Sequence, residues 1–391
     1  MKDHIVIIGG GYAGLSAAQN AAKSLSPNLA KITVIETRKF FYHCIGTTRA
    51  MVDTSFVPKV LIPYDSAFSG TDVELKFATV KDIDYSARSI TCTPSSEAPS
   101  ADPSFSITPQ DETIVYDHLI LATGSSYPSP FKPSADINSS KEIEDVLTKT
   151  AEKIKHSERI LVIGGGAVGI EMAGELKAFY PDKKIMLIEK NTELISNQNV
   201  PKLSRKAKAA LLKHGVELIL GEHLTERFYS HQFGTKTLLT ESGLEIESDA
   251  QLVCAGMTTN IDLIKDPECL DGRFIKVKAT MEIDHPSSDY NNVFVIGDAS
   301  NHPTPKLAYW GMMQGAHLAE SLSAKIRHGQ DIKPYVEPPT EAMFLPLGPT
   351  GGVSQLPVCG GIVVGDFMTR MLKSKDLLSG MFWDQLNAKM P

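Results

Sequence analysis

The stretch HIVIIGGGYAGLSAAQNAA, residues 4–22, places a short apolar run, a glycine turn and an alanine-rich helical pattern in direct succession. The turn carries Gly9, Gly11 and Gly14, and the next apolar run, KITVIE, ends at Glu36. Glycines at this spacing let a backbone approach a pyrophosphate at a helix N-terminus, and the terminal acid can accept hydrogen bonds from a ribose diol. The stretch therefore predicts a dinucleotide-binding unit, in preference to a tight turn without a ligand.

The same pattern returns downstream in RILVIGGGAVGIEMAGELKAF, residues 159–179, and is followed by a second run, KIMLIE. Its glycines and terminal acid are Gly164, Gly166, Gly169 and Glu189. Two complete copies are much stronger evidence than one, because each requires strand, glycines, helix and acid together. A carboxylate at Glu189 repels a ribose 2′-phosphate and so favours NADH over NADPH, although the neighbouring Lys190 and Asn191 soften that preference.

Composition narrows the partners and the compartment. The 391 residues carry a net charge of -7, so there is no overall attraction for a nucleic acid backbone. The five cysteines are scattered without metal-ligand or dithiol spacing, which is typical of a reducing compartment. No metal site is expected.

No apolar run is long enough to span a bilayer, the N-terminus enters a strand at once, and Lys2 stands where myristoylation requires glycine. We expect a cytoplasmic protein whose membrane contacts are peripheral.

Two more motifs, LILATGSS at residues 119–126 and VFVIGDAS at residues 293–300, resemble the FAD-binding domain of pyridine nucleotide-disulfide reductase-type flavoproteins. The resemblance implies an α/β fold with two Rossmann-type domains. An FAD domain (1–130 and 285–335) would be interrupted by an NAD(P)H domain (131–284) and followed by a small α+β C-terminal region (336–391) that completes the acceptor site. The cofactor-binding residues it implies in these motifs are Ala122, Thr123, Gly124, Gly297 and Asp298.

That superfamily commonly relays electrons through a cysteine pair, which the expected region lacks. Cys44 stands alone, and Arg49 occupies the position of a partner five residues on. Thiol exchange through an internal dithiol needs two thiols, so electrons are expected to leave the flavin directly. Structural burial is the favoured interpretation of Cys44, with a lone redox thiol as the alternative. Arg49 is instead counted among the cofactor-binding candidates.

Longer stretches resemble the apoptosis-inducing-factor-like branch that contains ferroptosis suppressor protein, a group of flavin-dependent NAD(P)H:quinone oxidoreductases. The matching stretches are FFYHCIGTTRAMVDTSF, TPKLAYWGMMQGAH, FLPLGPTGGVSQLP and RMLKSKDLLSGMFWDQLNAKMP. By position, the resemblance implies that Glu171 binds the nicotinamide end of NAD(P)H and that Lys306 lies against the isoalloxazine of FAD. An ammonium there would stabilise negative charge on the reduced ring. The alternatives are a helix-dipole partner for Glu171 and an exposed lysine for Lys306.

Candidate walls of an acceptor site are His43, Tyr309, Trp310 and Phe344, although buried structural roles are the safer interpretation of each. The segment FMTRMLKSKDLLSGMFW, residues 367–383, mixes apolar and basic residues. This composition fits an interfacial amphipathic segment, and it fits equally a segment whose apolar residues pack on the body of the protein.

These observations predict an oxidoreductase that passes a hydride from NAD(P)H to flavin N5 and then delivers electrons to a quinone-like acceptor. Two alternatives stay open: an NAD(H)-sensing flavoprotein, and a pathway-specific flavin oxidase or carrier-protein reductase. The oligomeric state is not predicted.

Overall fold

The computed structural model describes residues 2–95, 110–196, 200–337, 340–358 and 360–391. Its strands are β1 Asp3–Ile8, β2 Ala30–Glu36, β3 Phe40–Tyr42, β4 Leu61–Pro63, β5 Val73–Asp84, β6 Ser89–Pro94, β7 Glu112–Val115, β8 His118–Leu121, β9 Ser125–Ser126, β10 Arg159–Ile163, β11 Lys184–Glu189, β12 Glu217–Leu220, β13 Gln232–Leu239, β14 Glu245–Val253, β15 Thr258–Thr259, β16 Leu270–Asp271, β17 Phe274–Ile275, β18 Val293–Val295, β19 Met343–Pro346, β20 Gly352–Leu356 and β21 Ile362–Val364. Its α-helices are α1 Tyr12–Ser24, α2 Thr47–Ala50, α3 Ser140–His156, α4 Ala167–Phe179, α5 Pro201–Lys213, α6 Ala308–His328, α7 Asp366–Thr369 and α8 Ser379–Gln385.

The first of two compact units comprises Met1–Phe41, Pro63–Ser126 and Thr258–Glu337. Its seven-stranded sheet has the order β18-β8-β1-β2-β5-β6-β7, and the strands from β18 to β5 are parallel. The apolar run of β1 has no alternation because parallel strands are covered on both faces, and Ile5, Val6 and Ile7 are fully buried.

Helices α1 and α6 of the first unit pack closely because small residues face each other. A Cβ atom added at Gly315 would lie 2.4 Å from the Ala13 carbonyl oxygen, so a side chain at this position would force the helices apart. Leu318, Ala319 and Leu322 of α6 are buried in the same core cluster as Ile5 and Ile7 of β1. This close packing fixes α1, which follows the first glycine turn, against α6.

The second unit comprises Tyr42–Ile62, Tyr127–Met257 and Pro338–Pro391. Its five-stranded sheet has the order β12-β11-β10-β14-β13, in which β12 to β14 are parallel and β13 is antiparallel to β14. A separate antiparallel sheet, β19-β20-β21, is followed by α7, one π-helical turn at Arg370–Ser374, and α8. The described helices include none that is both long and apolar enough to cross a membrane.

The predicted fold class is confirmed: two glycine-turn α/β sheets and a small α+β C-terminal part are present. The division into units differs from the predicted domain boundaries. Residues 258–284 belong to the first unit, because β15 pairs with β9 and because Ile264, Cys269 and Ile283 lie in its core. Residues 42–62 and the C-terminal part group with the second unit. The assignment of one cofactor to each unit stays a prediction.

Candidate functional site

The first glycine turn has the geometry that excludes side chains. Gly9 has φ +102°, and a Cβ atom there would lie 2.4 Å from the Ala122 carbonyl oxygen. A Cβ atom at Gly14 would lie 1.9 Å from the Gly9 carbonyl oxygen, whereas Gly11 has open space around it. Gly11 is the N-cap of α1 and no side chain caps the helix there. The turn therefore offers a side-chain-free approach to a helix N-terminus, which suits a phosphate group.

Glu36 is held at the edge of this turn by backbone donors. One carboxylate oxygen accepts a hydrogen bond from the Gly10 N–H at 2.7 Å, and the other accepts from the N–H groups of Thr37 and Arg38 at 2.8 and 3.2 Å. The Tyr64 hydroxyl donates to the Gly10 carbonyl at 2.7 Å, and burial raises the pKa of this tyrosine. Tyr64, which the sequence analysis did not single out, thus fixes the Gly10 carbonyl of the turn.

The Gly297–Asp298 turn is joined to the 119–126 motif and to α6. The Ser125 hydroxyl donates to Asp298 at 2.6 Å. Gln314, buried in α6, accepts from the Gly297 N–H at 2.7 Å and donates to the Thr304 hydroxyl at 2.7 Å. The structure therefore brings the two predicted FAD motifs together. Gln314 was missed because an amide inside an apolar helix pattern has no local signal for its partner.

The predicted residues Ala122, Thr123 and Gly124 lie directly after β8, at its carboxyl end. Ala122 contacts the turn at Gly9, as described above, and Thr123 exchanges hydrogen bonds with Asn260 at 2.7 and 2.8 Å. Gly124 has φ +68° with open space around it. These residues line the carboxyl edge of the parallel sheet, where dinucleotides bind in such folds.

Lys306 is half-buried just before α6. Its ammonium donates to the carbonyl oxygens of Ser300 and His302 at 2.8 and 2.7 Å and lies 5.2 Å from the centre of the Phe274 ring. Burial lowers the pKa of Lys306 to about 8, and the Asp298 charge opposes that shift. Lys306 is thus an ammonium held in place by two carbonyl oxygens. The interpretation as a freely exposed lysine is not supported.

The second glycine turn repeats the first. Gly164 has φ +112°, a Cβ atom at Gly169 would lie 1.9 Å from the Gly164 carbonyl oxygen, and Gly166 has open space. Glu189 accepts from the Gly165 N–H at 2.6 Å, as Glu36 does from Gly10. The Gly165 carbonyl accepts from the Ile195 N–H at 3.1 Å, so a backbone group does here what Tyr64 does in the first unit.

The side chain beside Glu189 reinforces its carboxylate. Asn191 donates to Glu189 from its side-chain amide at 2.6 Å and from its backbone N–H at 3.0 Å. This amide is therefore committed to the carboxylate, whereas the sequence had suggested that it weakens the preference against a 2′-phosphate.

Glu171 in α4 forms a buried ion pair. Its carboxylate lies 2.8 Å from the Lys373 ammonium, which also donates to the Phe344 carbonyl at 3.2 Å. The side chains of Glu171 and Lys373 are only 9 % and 12 % exposed. Burial raises the pKa of Glu171, and the Lys373 ammonium opposes that shift. Lys373 lies in the 367–383 segment, for which an interfacial and a packed arrangement both stayed open, and its charge is turned inward to a carboxylate.

Arg49, predicted as a cofactor-binding residue, lies in a buried ion pair, and its cofactor role stays a prediction. Its guanidinium makes a two-pronged pair with Glu175, at 2.9 and 2.6 Å, and donates to the carbonyls of Ser374 and Lys375 at 2.9 and 3.1 Å. Arg49 and Glu175 are 3 % and 0 % exposed. All of these partners lie in the second unit, so Arg49 joins α2, α4 and the C-terminal turn.

Two of the four acceptor-wall candidates, His43 and Trp310, are buried. His43 is buried, with its ring nitrogen 2.8 Å from the Leu377 carbonyl, and burial lowers its pKa to about 4. Trp310 is 1 % exposed and belongs to the core, whereas Tyr309 is exposed and Phe344 is half-buried. Cys44 is half-buried rather than fully buried.

One cluster was not anticipated. Asp266, Cys269 and His285 place potential metal-ligand atoms within 4.8 Å of one another. However, the Ser287 N–H donates to His285 Nδ1 at 3.0 Å, so the ring proton must lie on Nε2, which is 3.4 Å from Asp266 and 3.3 Å from Glu268. Both carboxylates lie near this buried nitrogen, but neither accepts a hydrogen bond from it.

Comparison with protein families matches residues 3–315 to the model described as pyridine nucleotide-disulphide oxidoreductase. Among curated proteins, ferroptosis suppressor protein 1 of Taeniopygia guttata is 30% identical, with 99% of this chain and 96% of that protein aligned. Apoptosis-inducing factor homolog B of Dictyostelium discoideum is 27% identical over 100% of this chain and 98% of its own length.

Solved structures show the same fold at low identity. The sulfide:quinone oxidoreductase of Aquifex aeolicus superposes with a TM-score of 0.73 at 15% identity, covering 99% of this chain and 92% of that one. NDH2 of Plasmodium falciparum, in complex with NADH, superposes with a TM-score of 0.71 at 13% identity, covering 99% and 98%.

Proposed function

Because the chain belongs to the pyridine nucleotide-disulphide oxidoreductase family, we propose that it passes electrons from NAD(P)H to a quinone-like acceptor without a cysteine-pair relay. It is an FAD- and NAD(P)H-dependent oxidoreductase. The acceptor and the missing relay are the proposed parts. The observation that supports them is that none of the four described cysteines, Cys44, Cys92, Cys254 and Cys269, is in a disulfide and that the last three are buried. Cys359 lies outside the described residues.

In the proposed site the protein binds and orients, and FAD, when bound, supplies the redox chemistry by accepting a hydride and releasing electrons. Glu36 and Glu189 are the proposed ribose-binding carboxylates, each already oriented by a glycine N–H. The Asn191 amide donates to the Glu189 carboxylate and orients it. Because this carboxylate would repel a ribose 2′-phosphate, NADH is the proposed preferred nucleotide. Asp298 is proposed to bind a hydroxyl of FAD.

Glu171 and Lys373 form the proposed charged element at the nicotinamide end. The pair is buried, so each charge depends on the other. Lys306 is the proposed cation beside the flavin, held in place by two carbonyl oxygens. These roles for Glu171 and Lys306 follow from the family resemblance, and the contacts support them by showing that both groups are fixed and partly desolvated.

The direct test is rapid mixing of the FAD-loaded enzyme with NADH, followed by a quinone. We expect NADH to bleach the flavin absorption and menadione or a short-chain ubiquinone to restore it. An oxidised flavin band that persists with both NADH and NADPH excludes the proposed hydride step. Bleaching by NADH without reoxidation by any quinone would favour the alternative of an NAD(H)-sensing flavoprotein.

Replacing Cys44 with serine separates direct transfer from thiol relay. We expect Cys44→Ser to retain NADH:quinone turnover within roughly twofold, because thiol exchange needs a second accessible thiol and the other three described thiols are buried. Steady-state turnover with menadione, measured beside a Cys92→Ser control, is the readout. A loss of turnover in Cys44→Ser alone, with the flavin still bleached by NADH, would assign the thiol a redox role.

The pH profile tests Lys306. A lowered pKa means that the ammonium is lost as pH rises through about 8, so turnover should be highest below that pH and decline about tenfold per pH unit well above it. Lys306→Arg should move the decline to higher pH, because a guanidinium stays protonated. A Lys325→Arg variant, in α6, should leave the profile unchanged. An identical decline in wild type and Lys306→Arg would assign it to another group.

Peripheral membrane contact through the C-terminal segment is also proposed, in a narrower form than the sequence suggested. Leu377, Phe382 and Trp383 are buried, so this half of the segment packs on the second unit. Phe367 and Met371 are exposed and remain available to a membrane. The cytoplasmic location stays a prediction.

A further inference from the structure

Helix α5, Pro201–Lys213, has an unusual charge for this chain. Its sequence, PKLSRKAKAALLK, contains five basic residues and no acidic residue, although the whole chain has a net charge of -7. Leu203, Ala207 and Leu211 are buried and attach one face of the helix to the second unit. Because these positions define the inner face, the cations are displayed on the outer face.

Three of these cations line a surface groove of about 470 Å³. Lys202, Arg205 and Lys206 form one wall, and residues 361–363 form the other. None of the described residues that line the groove is acidic, and within the described part of the chain these three cations form no salt bridge. Lys206 donates to the Val363 carbonyl at 3.0 Å, which ties the two walls together. The groove is therefore a fixed, open, positively charged depression.

Exposed apolar side chains continue from this groove along the chain. Ile362, in the second wall, is 45% exposed. A few residues on, Phe367 and Met371 are 72% and 69% exposed. A cationic groove with an exposed Ile side chain in its wall, followed a few residues along the chain by exposed Phe and Met side chains, has the chemistry of a membrane-surface site. Phosphate groups and acyl chains meet at that depth.

We propose that α5 and the 362–371 segment together form a docking surface for an anionic phospholipid bilayer, with a lipid phosphate in the α5 groove. The proposal rests on the peripheral membrane contact proposed above and adds its lipid selectivity. An acidic protein would satisfy the cations but not Phe367 and Met371, whereas an anionic bilayer satisfies both. A second copy of this acidic chain is the competing occupant, and the experiment below separates it.

The test is co-sedimentation of the FAD-loaded enzyme with two kinds of vesicle: phosphatidylcholine alone, and phosphatidylcholine mixed with phosphatidylserine. We expect binding to the mixed vesicles that weakens as salt is raised, since surface charge is screened. In Lys202→Gln/Arg205→Gln/Lys206→Gln we expect roughly a hundredfold weaker binding to the mixed vesicles. The control Lys149→Gln/Lys153→Gln/Lys155→Gln removes the same charge from α3 and should bind as wild type does.

The apolar half is tested by Phe367→Ser/Met371→Ser, which should weaken binding even at low salt. NADH:menadione turnover, measured on every sample, should stay at the wild-type level, so that a failed docking surface is distinguished from a failed enzymatic assignment. Equal binding of wild type to both vesicle types, or unchanged binding of the α5 variant, overturns the proposal. A dimer in vesicle-free solution that is lost in the α5 variant would assign the surface to a second copy and would also overturn it.

Discussion

Replacing Arg49 with methionine is expected to lower the free energy of unfolding by about 3–5 kcal/mol. The variant leaves Glu175 as a buried charge without its cation, and it leaves the carbonyls of Ser374 and Lys375 without their donor. Burial already raises the pKa of Glu175, so the carboxyl is expected to take up a proton in the variant. Denaturant unfolding of the FAD-loaded protein measures the loss.

Two further variants show whether the loss comes from the broken pair. Arg49→Lys keeps the charge but cannot reproduce the two-pronged contact, so its stability should lie between wild type and Arg49→Met. The double variant Arg49→Met/Glu175→Leu removes both charges and should be more stable than Arg49→Met alone. If Arg49→Met unfolds at the wild-type denaturant concentration, the buried pair does not hold the C-terminal turn to α4.

Alanine at Gly14 or at Gly169 is expected to remove one cofactor each. In either variant the new Cβ atom would lie 1.9 Å from a carbonyl oxygen of the same turn, so the turn must open. We expect Gly14→Ala to be purified without the yellow colour of FAD. We expect Gly169→Ala to keep its flavin but to lose at least roughly a hundredfold in affinity for NADH, because the misplaced N–H groups no longer meet the phosphates.

The readouts are the flavin absorption of the purified protein and the NADH concentration that half-bleaches it. Gly365→Ala is the control, since Gly365 has open space around it and a negative φ of -106°. A Gly169→Ala variant that loses FAD while keeping NADH binding would reverse the assignment of cofactors to the two turns.

The sequence pattern was sufficient for features that short-range sterics decide. The order of strand, three glycines and helix predicts a tight turn, and both turns are present. In each, the carboxylate at the end of the next strand accepts a hydrogen bond from a glycine N–H. The boundaries of the two units were harder to predict from the sequence. Residues 258–284 join the first unit through β15, which is two residues long and has no pattern of its own. The short 42–62 segment likewise carries no sign of the unit it packs on.

The partners in the buried ion pairs were also not predictable from the sequence. Glu171 and Glu175 lie one helical turn apart in the otherwise apolar stretch IEMAGEL, and this spacing could have indicated two buried cationic partners. It could not have identified them. Lys373 lies in a segment whose composition also fits a membrane surface, and Arg49 lies in a stretch that resembles a cofactor-binding region, so neither was recognisable as the partner of a buried carboxylate.

What the sequence determined alone is the pair of dinucleotide-binding turns, their acids and the α/β class, because these depend on backbone geometry within a few tens of residues. What only the tertiary structure decided is the partner of each buried charge: Arg49 with Glu175 and Lys373 with Glu171, separated by 126 and 202 residues. A desolvated charge must find an opposite charge, but which one it finds depends on where the folded chain brings distant segments together.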